Sequence, residues 1–383
     1  MSFDFDESIG GVPLLDLAAQ WGQVEADVRE AIERVLSTQR YIGGPEVEGA
    51  EADVLEYCRM DGAAIGVASG TDALLVAMMA LDIGPGDEVV TTPFTFFATA
   101  GTIHRTGAKP VFVDIDPATF NIDPTKIADA ITDKTKAVVP VHLFGQCAEM
   151  DAIKDAVGGL PIIEDAAQAI GAEYKGARAG AMGAAGCFSF FPSKNLGVLG
   201  DGGMVVSTDK ALGERMRRLR NHGQGAQYHH EEVGGNFRLD AIHGAAVRAK
   251  LPYLDGWTEG RQRNADRYDA MFAEAGLVGE HILALPARAP ERRHIFNQYT
   301  LRVRDRDALQ AFLRDEAKIG TSVYYPVPMH LQRCFADLGY KAGDMPEAEK
   351  AAREVLSLPI FPELTEAQQR YVVGWIARFY GEG

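Results

Sequence analysis

The chain has 383 residues, 46% of them apolar, and a formal net charge of −16. That length allows two domains with one large core, and the acidic balance disfavours a nucleic-acid partner. No apolar run approaches the ~20 residues of a membrane span, and the acidic start Met1-Ser2-Phe3-Asp4-Phe5-Asp6-Glu7 lacks the basic region of a secretory signal, so a cytoplasmic protein is expected.

Residues 1–60 read as a helical lead-in. Val24, Val28, Ala31, Ile32 and Val35 recur at helical spacing, and Tyr41-Ile42-Gly43-Gly44-Pro45 ends that run. Strand-like runs follow at 64–68, 88–92, 110–114, 137–142, 161–164, 186–191 and 203–207. Helical stretches at 72–81, 95–105, 124–131 and 150–156 lie between several of them. The alternation predicts a large three-layer αβα domain around a mostly parallel seven-stranded sheet. The arginines of Arg215-Met216-Arg217-Arg218-Leu219-Arg220 fit the C-terminal turn of a further helix. Beyond 240 come a long helical region to about 275, broken near Pro252, a strand at 298–304, a helix at 307–316, a strand at 321–325 and two terminal helices. This is a smaller α+β domain, and the division falls at 1–250 and 251–383. Four scattered cysteines without CxxC spacing and nine histidines without an HExxH-type set predict reduced thiols and no metal.

Several polar residues stand where strands end, which is where ligands bind in open α/β sheets. Run 64–68 leads into Ser69-Gly70-Thr71-Asp72. Gly70 and Thr71 there suit either a phosphate at a helix N-terminus or a plain cap. Thr92-Pro93-Phe94-Thr95-Phe96-Phe97 offers three rings that are core or, for Phe96, a platform for a planar cofactor. Asp165 ends the apolar run Pro161-Ile162-Ile163, and it reads as a helix cap or as the partner of a buried cation such as a protonated pyridine nitrogen. Gln168 is a surface amide or a contact to a ring hydroxyl. Lys194 follows Phe188-Ser189-Phe190-Phe191-Pro192-Ser193 and precedes a glycine-rich run. Its apolar flanks weigh against an ordinary surface lysine and suit an amine that condenses with pyridoxal phosphate (PLP). Ser189, five residues earlier, suits a phosphate donor.

Together these segments resemble the DegT/DnrJ/EryC1/StrS sugar aminotransferases, PLP enzymes of fold type I in the aspartate-aminotransferase superfamily. The matching segments are Ser69-Gly70-Thr71-Asp72-Ala73-Leu74, Pro93-Phe94-Thr95-Phe96-Phe97-Ala98-Thr99-Ala100, Glu164-Asp165-Ala166-Ala167-Gln168, Ser189-Phe190-Phe191-Pro192-Ser193-Lys194-Asn195, Arg220-Asn221-His222-Gly223 and Gly235-Asn236-Phe237-Arg238-Leu239-Asp240. The resemblance implies that Lys194 is the Schiff-base lysine and proton shuttle, Asp165 the partner of the ring nitrogen and Gln168 the contact to the ring hydroxyl. It implies that Phe96 stacks on the ring and that Gly70, Thr71 and Ser189 hold the phosphate. Asn236 would reach that phosphate, and Arg238 the substrate, from the neighbouring subunit of a homodimer with shared active sites.

The segment Thr321-Ser322-Val323-Tyr324-Tyr325-Pro326-Val327-Pro328-Met329-His330-Leu331-Gln332 is similar to members that aminate C3 of nucleotide-linked 3-keto sugars. It implies substrate contacts from Tyr324 and Tyr325, with His330 a further candidate or a turn residue; this branch often has histidine where Tyr324 stands. The implied reaction moves an amino group from glutamate, leaving 2-oxoglutarate, to a UDP- or dTDP-linked keto sugar. The alternatives are a 4-keto-sugar aminotransferase, a PLP-dependent dehydratase, whose branch has histidine at the lysine position, and a PLP-binding regulatory protein. The last needs a DNA- or partner-binding surface, which the acidic charge disfavours.

Overall fold

A computed structural model of the chain describes residues 3–381; Met1 and Ser2, which open the acidic start discussed above, lie outside them. Seven strands form the central sheet: β1 (Ala63–Val67), β2 (Glu88–Thr91), β3 (Lys109–Phe112), β4 (Thr135–Val139), β5 (Ile163–Asp165), then β8 (Ala185–Ser189) and β9 (Gly203–Ser207), after the two-residue hairpin strands β6 (Glu173–Tyr174) and β7 (Ala177–Arg178). Two ladders, β1-β9-β8-β5 and β3-β2-β4, join through the parallel bridges Val138↔Ile162 and Val141↔Asp165. Only β9 runs against its neighbours.

Period-two alternation explains the three layers. Val89, Ala137, Val139 and Val205 point to one face, where helices α3 (Gly70–Ala80), α4 (Phe97–Arg105) and α7 (Lys210–Arg220) contribute Leu74, Ile103 and Met216. Val90, Val138, Met204 and Val206 point to the other. There α1 (Leu17–Thr38), α2 (Pro45–Tyr57), α6 (Met150–Val157) and α8 (Ala241–Lys250) supply Val28, Val54, Ile153 and Val247; the 124–131 stretch forms only a 3-10 turn and one short helix, α5 (Ile127–Ala130).

A 3-10 turn at Leu251–Tyr253, with Pro252 inside it, separates α8 from α9 (Leu254–Glu274). Leu254 and Trp257 belong to the sheet core, whereas Tyr268 and Phe272 belong to a second core. That core lies under the antiparallel sheet of β10 (Ile282–Ala284), β12 (Tyr299–Val303) and β13 (Val355–Leu358); β11 (Arg292–Arg293) instead pairs with β6. Helices α10 (Arg306–Asp315) and α12 (Glu366–Tyr380) cover it, and Phe3 and Val12 join it from the amino-terminal end. The terminal helices are α11 (Pro346–Glu354) and α12, with β13 between them.

The strand expected at 321–325 is absent. Ser322 exchanges one pair of backbone hydrogen bonds with Ser357 (3.1 and 2.8 Å), and the chain then leaves the sheet toward Pro326 and Pro328. Among the described residues, no helix is long and apolar enough to cross a membrane.

Candidate active site

Strands β1, β2, β4, β5 and β8 deliver their carboxyl ends to a cavity of about 610 Å³. Gly70, Thr71, Phe96, Asp165, Gln168, Ser189, Lys194, Tyr324 and Tyr325 all line it.

Lys194 is held by a tight backbone loop after β8. The Val198 N–H donates to the Phe190 carbonyl and the Lys194 N–H to the Phe191 carbonyl, both at 2.8 Å. A Cβ at Gly197 would lie 2.4 Å from the Pro192 carbonyl oxygen, so the loop closes only with glycine there. The buried ammonium of Lys250 donates to the Gly197 carbonyl at 2.6 Å. The side chain of Lys194 is thus left at the cavity wall, and its ammonium has no hydrogen bond or ion pair among the described residues. Burial lowers its pKa to about 8, while the nearby charge of Asp165 pulls upward.

Asp165 is 5% exposed. Its Oδ2 accepts from the Thr99 hydroxyl at 2.7 Å and its Oδ1 from the Ala167 N–H at 3.2 Å. Burial raises its pKa; the Thr99 and Ala167 bonds and the charge of Lys194 oppose that rise. Its neighbour Glu164 points the other way. The Glu164 carboxylate receives the N–H groups of Gly180, Met182 and Gly183 at 2.8, 2.6 and 2.6 Å and meets His142 Nε2 at 2.8 Å. The Ala148 N–H donates to His142 Nδ1 at 3.1 Å, which puts the ring proton of a neutral His142 on Nε2, toward Glu164.

Backbone fixes the amide of Gln168. Its Oε1 accepts the Phe144 N–H at 2.8 Å, so its NH₂ is the group left for the cavity side, where Nε2 donates to the Tyr325 hydroxyl at 3.0 Å. At the start of α3, Ser69 is the cap and accepts the Asp72 N–H at 3.1 Å. The Gly70 and Thr71 N–H groups precede the first intrahelical bond and remain for an anion. A Cβ at Gly70 would sit 2.7 Å from Ser189 Cβ, so glycine lets α3 and β8 meet around that point. The three phenylalanines divide: Phe94 is buried, Phe97 stacks on Phe335 at 5.8 Å, and Phe96 stays 58% exposed on the cavity wall, 6.3 Å from the Tyr325 ring.

Three expected residues stand outside the cavity. Asn236 bridges to Asn221 through backbone, and Arg238 donates to Asn221 Oδ1 at 2.7 Å on a separate arginine-lined surface depression. His330 lies on a different turn from the cavity wall. Its 3-10 turn, Met329–Leu331, buries the imidazole with Nε2 3.2 Å from Glu349, and it does not line the cavity. Sequence reading missed Thr99, Asn297, Gln298 and the His142–Glu164 pair. No local pattern pointed to Thr99, which meets Asp165 from 66 positions away.

An unpaired amine of lowered pKa, a buried carboxylate with spare acceptor capacity, a glycine-lined anion cradle and an exposed ring fit PLP. Fold and site together define a PLP enzyme of the aminotransferase type. A model described as the DegT/DnrJ/EryC1/StrS aminotransferase family matches residues 23–377, and the chain belongs to that family. It is 52% identical to a "Pleiotropic regulatory protein" of Geobacillus stearothermophilus, over 96% of this chain and 98% of the relative. It is 44% identical to a dTDP-3-amino-3,4,6-trideoxy-alpha-D-glucose transaminase of Streptomyces venezuelae, over 94% of each. It is 43% identical to a UDP-N-acetyl-3-dehydro-alpha-D-glucosamine 3-aminotransferase of Acidithiobacillus ferrooxidans, over 93% of this chain and 95% of the relative. Solved structures agree. S. venezuelae DesV in complex with a ketimine intermediate superposes with a TM-score of 0.91 at 43% identity, covering 96% of this chain and 98% of that one. Bacillus subtilis NtdA with bound cofactor PMP superposes at 0.88 and 31% identity, covering 98% and 87%. The chain is a PLP-dependent aminotransferase.

Proposed function

We propose that this enzyme moves an amino group from glutamate to C3 of a UDP- or dTDP-linked 3-keto sugar, giving an amino sugar. The unpaired amine of Lys194 beside Asp165 carries the catalytic part of this reading. The substrate part is supported by the relatives whose names are nucleotide-sugar 3-aminotransferases. A purely regulatory role, which the name of one relative suggests, has no use for an amine kept unpaired in a cavity.

When bound, PLP supplies the electron sink that lets the carbon bearing the amino group give up a proton. Lys194 would hold the aldehyde end of the cofactor. Its Nζ would take and return that proton, and an amine whose pKa burial lowers to about 8 is suited to both directions near neutral pH. The Asp165 carboxylate would hold the proton on the ring nitrogen, and the Gln168 NH₂ would donate to the ring hydroxyl. Gly70, Thr71 and Ser189 bind the phosphate. Phe96 covers one ring face and excludes water from it. Tyr324 and Tyr325 face the sugar nucleotide. Asn236 and Arg238 act on the partner's cavity in a cytoplasmic homodimer. The two-domain division at 1–250 and 251–383 belongs to the same proposal.

The test is product analysis. Purified enzyme is incubated with glutamate and UDP- and dTDP-linked 3-keto and 4-keto sugars, and the amine position is read by NMR. Amination of C3 with stoichiometric 2-oxoglutarate is expected; amination of C4, or loss of water or ammonia without glutamate consumption, contradicts the proposal.

A further inference from the structure

We propose that Thr99, backed by Thr95, is the positioning residue that keeps Asp165 ionised and so sets the charge of the bound cofactor's ring. The inference rests on Asp165 being the partner of the ring nitrogen.

Both threonines are buried, Thr99 fully and Thr95 to 1% exposure, so their hydroxyls must find partners within the protein. Thr99 Oγ1 lies 2.7 Å from Asp165 Oδ2 and 2.9 Å from Thr95 Oγ1. An ionised carboxylate only accepts, and a hydroxyl has one proton. Thr99 therefore spends its proton on Asp165, and its oxygen takes the proton of Thr95. The charge on Asp165 fixes the direction of the whole relay. Thr95 lines the cavity while Thr99 does not, so the relay runs from the cavity wall to the back of the carboxylate. The neighbouring Thr102 takes no part, since its hydroxyl donates to the Ala98 and Thr99 carbonyls.

Among the described residues, no other side chain hydrogen-bonds to Asp165. The charged and titratable groups around it are Lys194, His142, Glu164, Cys187 and Tyr325. None of them hydrogen-bonds to the carboxylate, whose only other bond among the described residues is the Ala167 N–H at 3.2 Å. Burial favours the neutral acid, and the Thr99 hydroxyl is the largest opposing influence. Were Asp165 neutral, the ring would lose its positive charge. A ring without that charge no longer repels the proton on the nitrogen of cofactor-linked Lys194, and that nitrogen becomes more basic.

The experiment compares holoenzymes of wild type, Thr99→Val, Thr99→Ser and Thr95→Val. It reads the pH midpoint of the bound cofactor's absorbance band and the retention of cofactor on dilution. Valine keeps the shape of threonine and removes only the hydroxyl. Thr99→Val is expected to raise the midpoint by about half a unit or more and to loosen the cofactor about tenfold. Thr99→Ser should restore both readings, and Thr95→Val should move both the same way by less. A Thr99→Val enzyme with wild-type midpoint and retention overturns the proposal. So does a Thr99→Ser enzyme that behaves like the valine variant, because the methyl group and not the hydroxyl would then matter. Wild type and Lys194→Ala provide the separating control. If borohydride still fixes the cofactor covalently to Lys194→Ala as it does to wild type, the underlying reading of the site falls and this proposal with it. If that covalent fixation is lost as expected and Thr99→Val is silent, the relay alone is wrong.

Discussion

Glu164 and Asp165 are adjacent carboxylates at the end of one strand, and they meet opposite fates. Glu164 is saturated by three backbone N–H groups and by His142. Asp165 has one hydroxyl and one long backbone bond, and beyond them it faces a cavity with an unpaired amine. A strand that alternates its faces separates the two chemically. The saturated acid fastens the Gly180–Gly183 loop under the sheet. The undersaturated one has a bond left to make, and a charged ring can supply it. Burial alone therefore does not mark a functional acid; an unfilled set of acceptors does.

Three substitutions and one titration press on this contrast. The largest effect belongs to Lys194→Ala, which should lower turnover by about 10²–10⁴-fold or more and leave a bound cofactor that borohydride no longer fixes covalently to the protein. Asp165→Asn should come next. It keeps the shape but not the charge, so turnover should fall by about 10²-fold, with the cofactor-free protein melting no lower than wild type because a buried charge has been removed. Glu164→Gln should invert that pattern. An amide NH₂ in place of a carboxylate oxygen opposes backbone donors already aimed there, costing about 2 kcal/mol and lowering the melting temperature by roughly 4 °C, while the cofactor band persists. A melting loss in Asp165→Asn but none in Glu164→Gln would erase the contrast. The mildest probe is pH. Only the neutral amine condenses with an aldehyde, and burial holds the pKa of Lys194 down to about 8. The rate at which cofactor-free enzyme takes up PLP should therefore climb with pH and level off above about 8. A rate still rising steeply at pH 10 would mean an ordinary lysine.

Much of this was legible in the sequence because strand ends carry their ligands in fixed local order. Lys194, Asp165, Gly70 and Ser189 each follow an apolar run, and all four meet in the cavity. Pro252 marked the break between two helices for a purely local reason. What was missed depends on contacts distant in sequence. Thr99 reaches Asp165 across 66 positions, and no local pattern announces that meeting. Residues 321–325 look like a strand, yet β12 pairs with 355–358 instead, a run that reads equally well as the end of a helix. His330 sits in a segment whose neighbours Tyr324 and Tyr325 line the cavity. One 3-10 turn directs it to Glu349.

The most direct measurement is borohydride reduction of the holoenzyme followed by peptide mass spectrometry. A pyridoxyl adduct on the peptide bearing Lys194, absent after Lys194→Ala, is the result expected. An adduct on another lysine, or none in an enzyme saturated with PLP, would contradict the account.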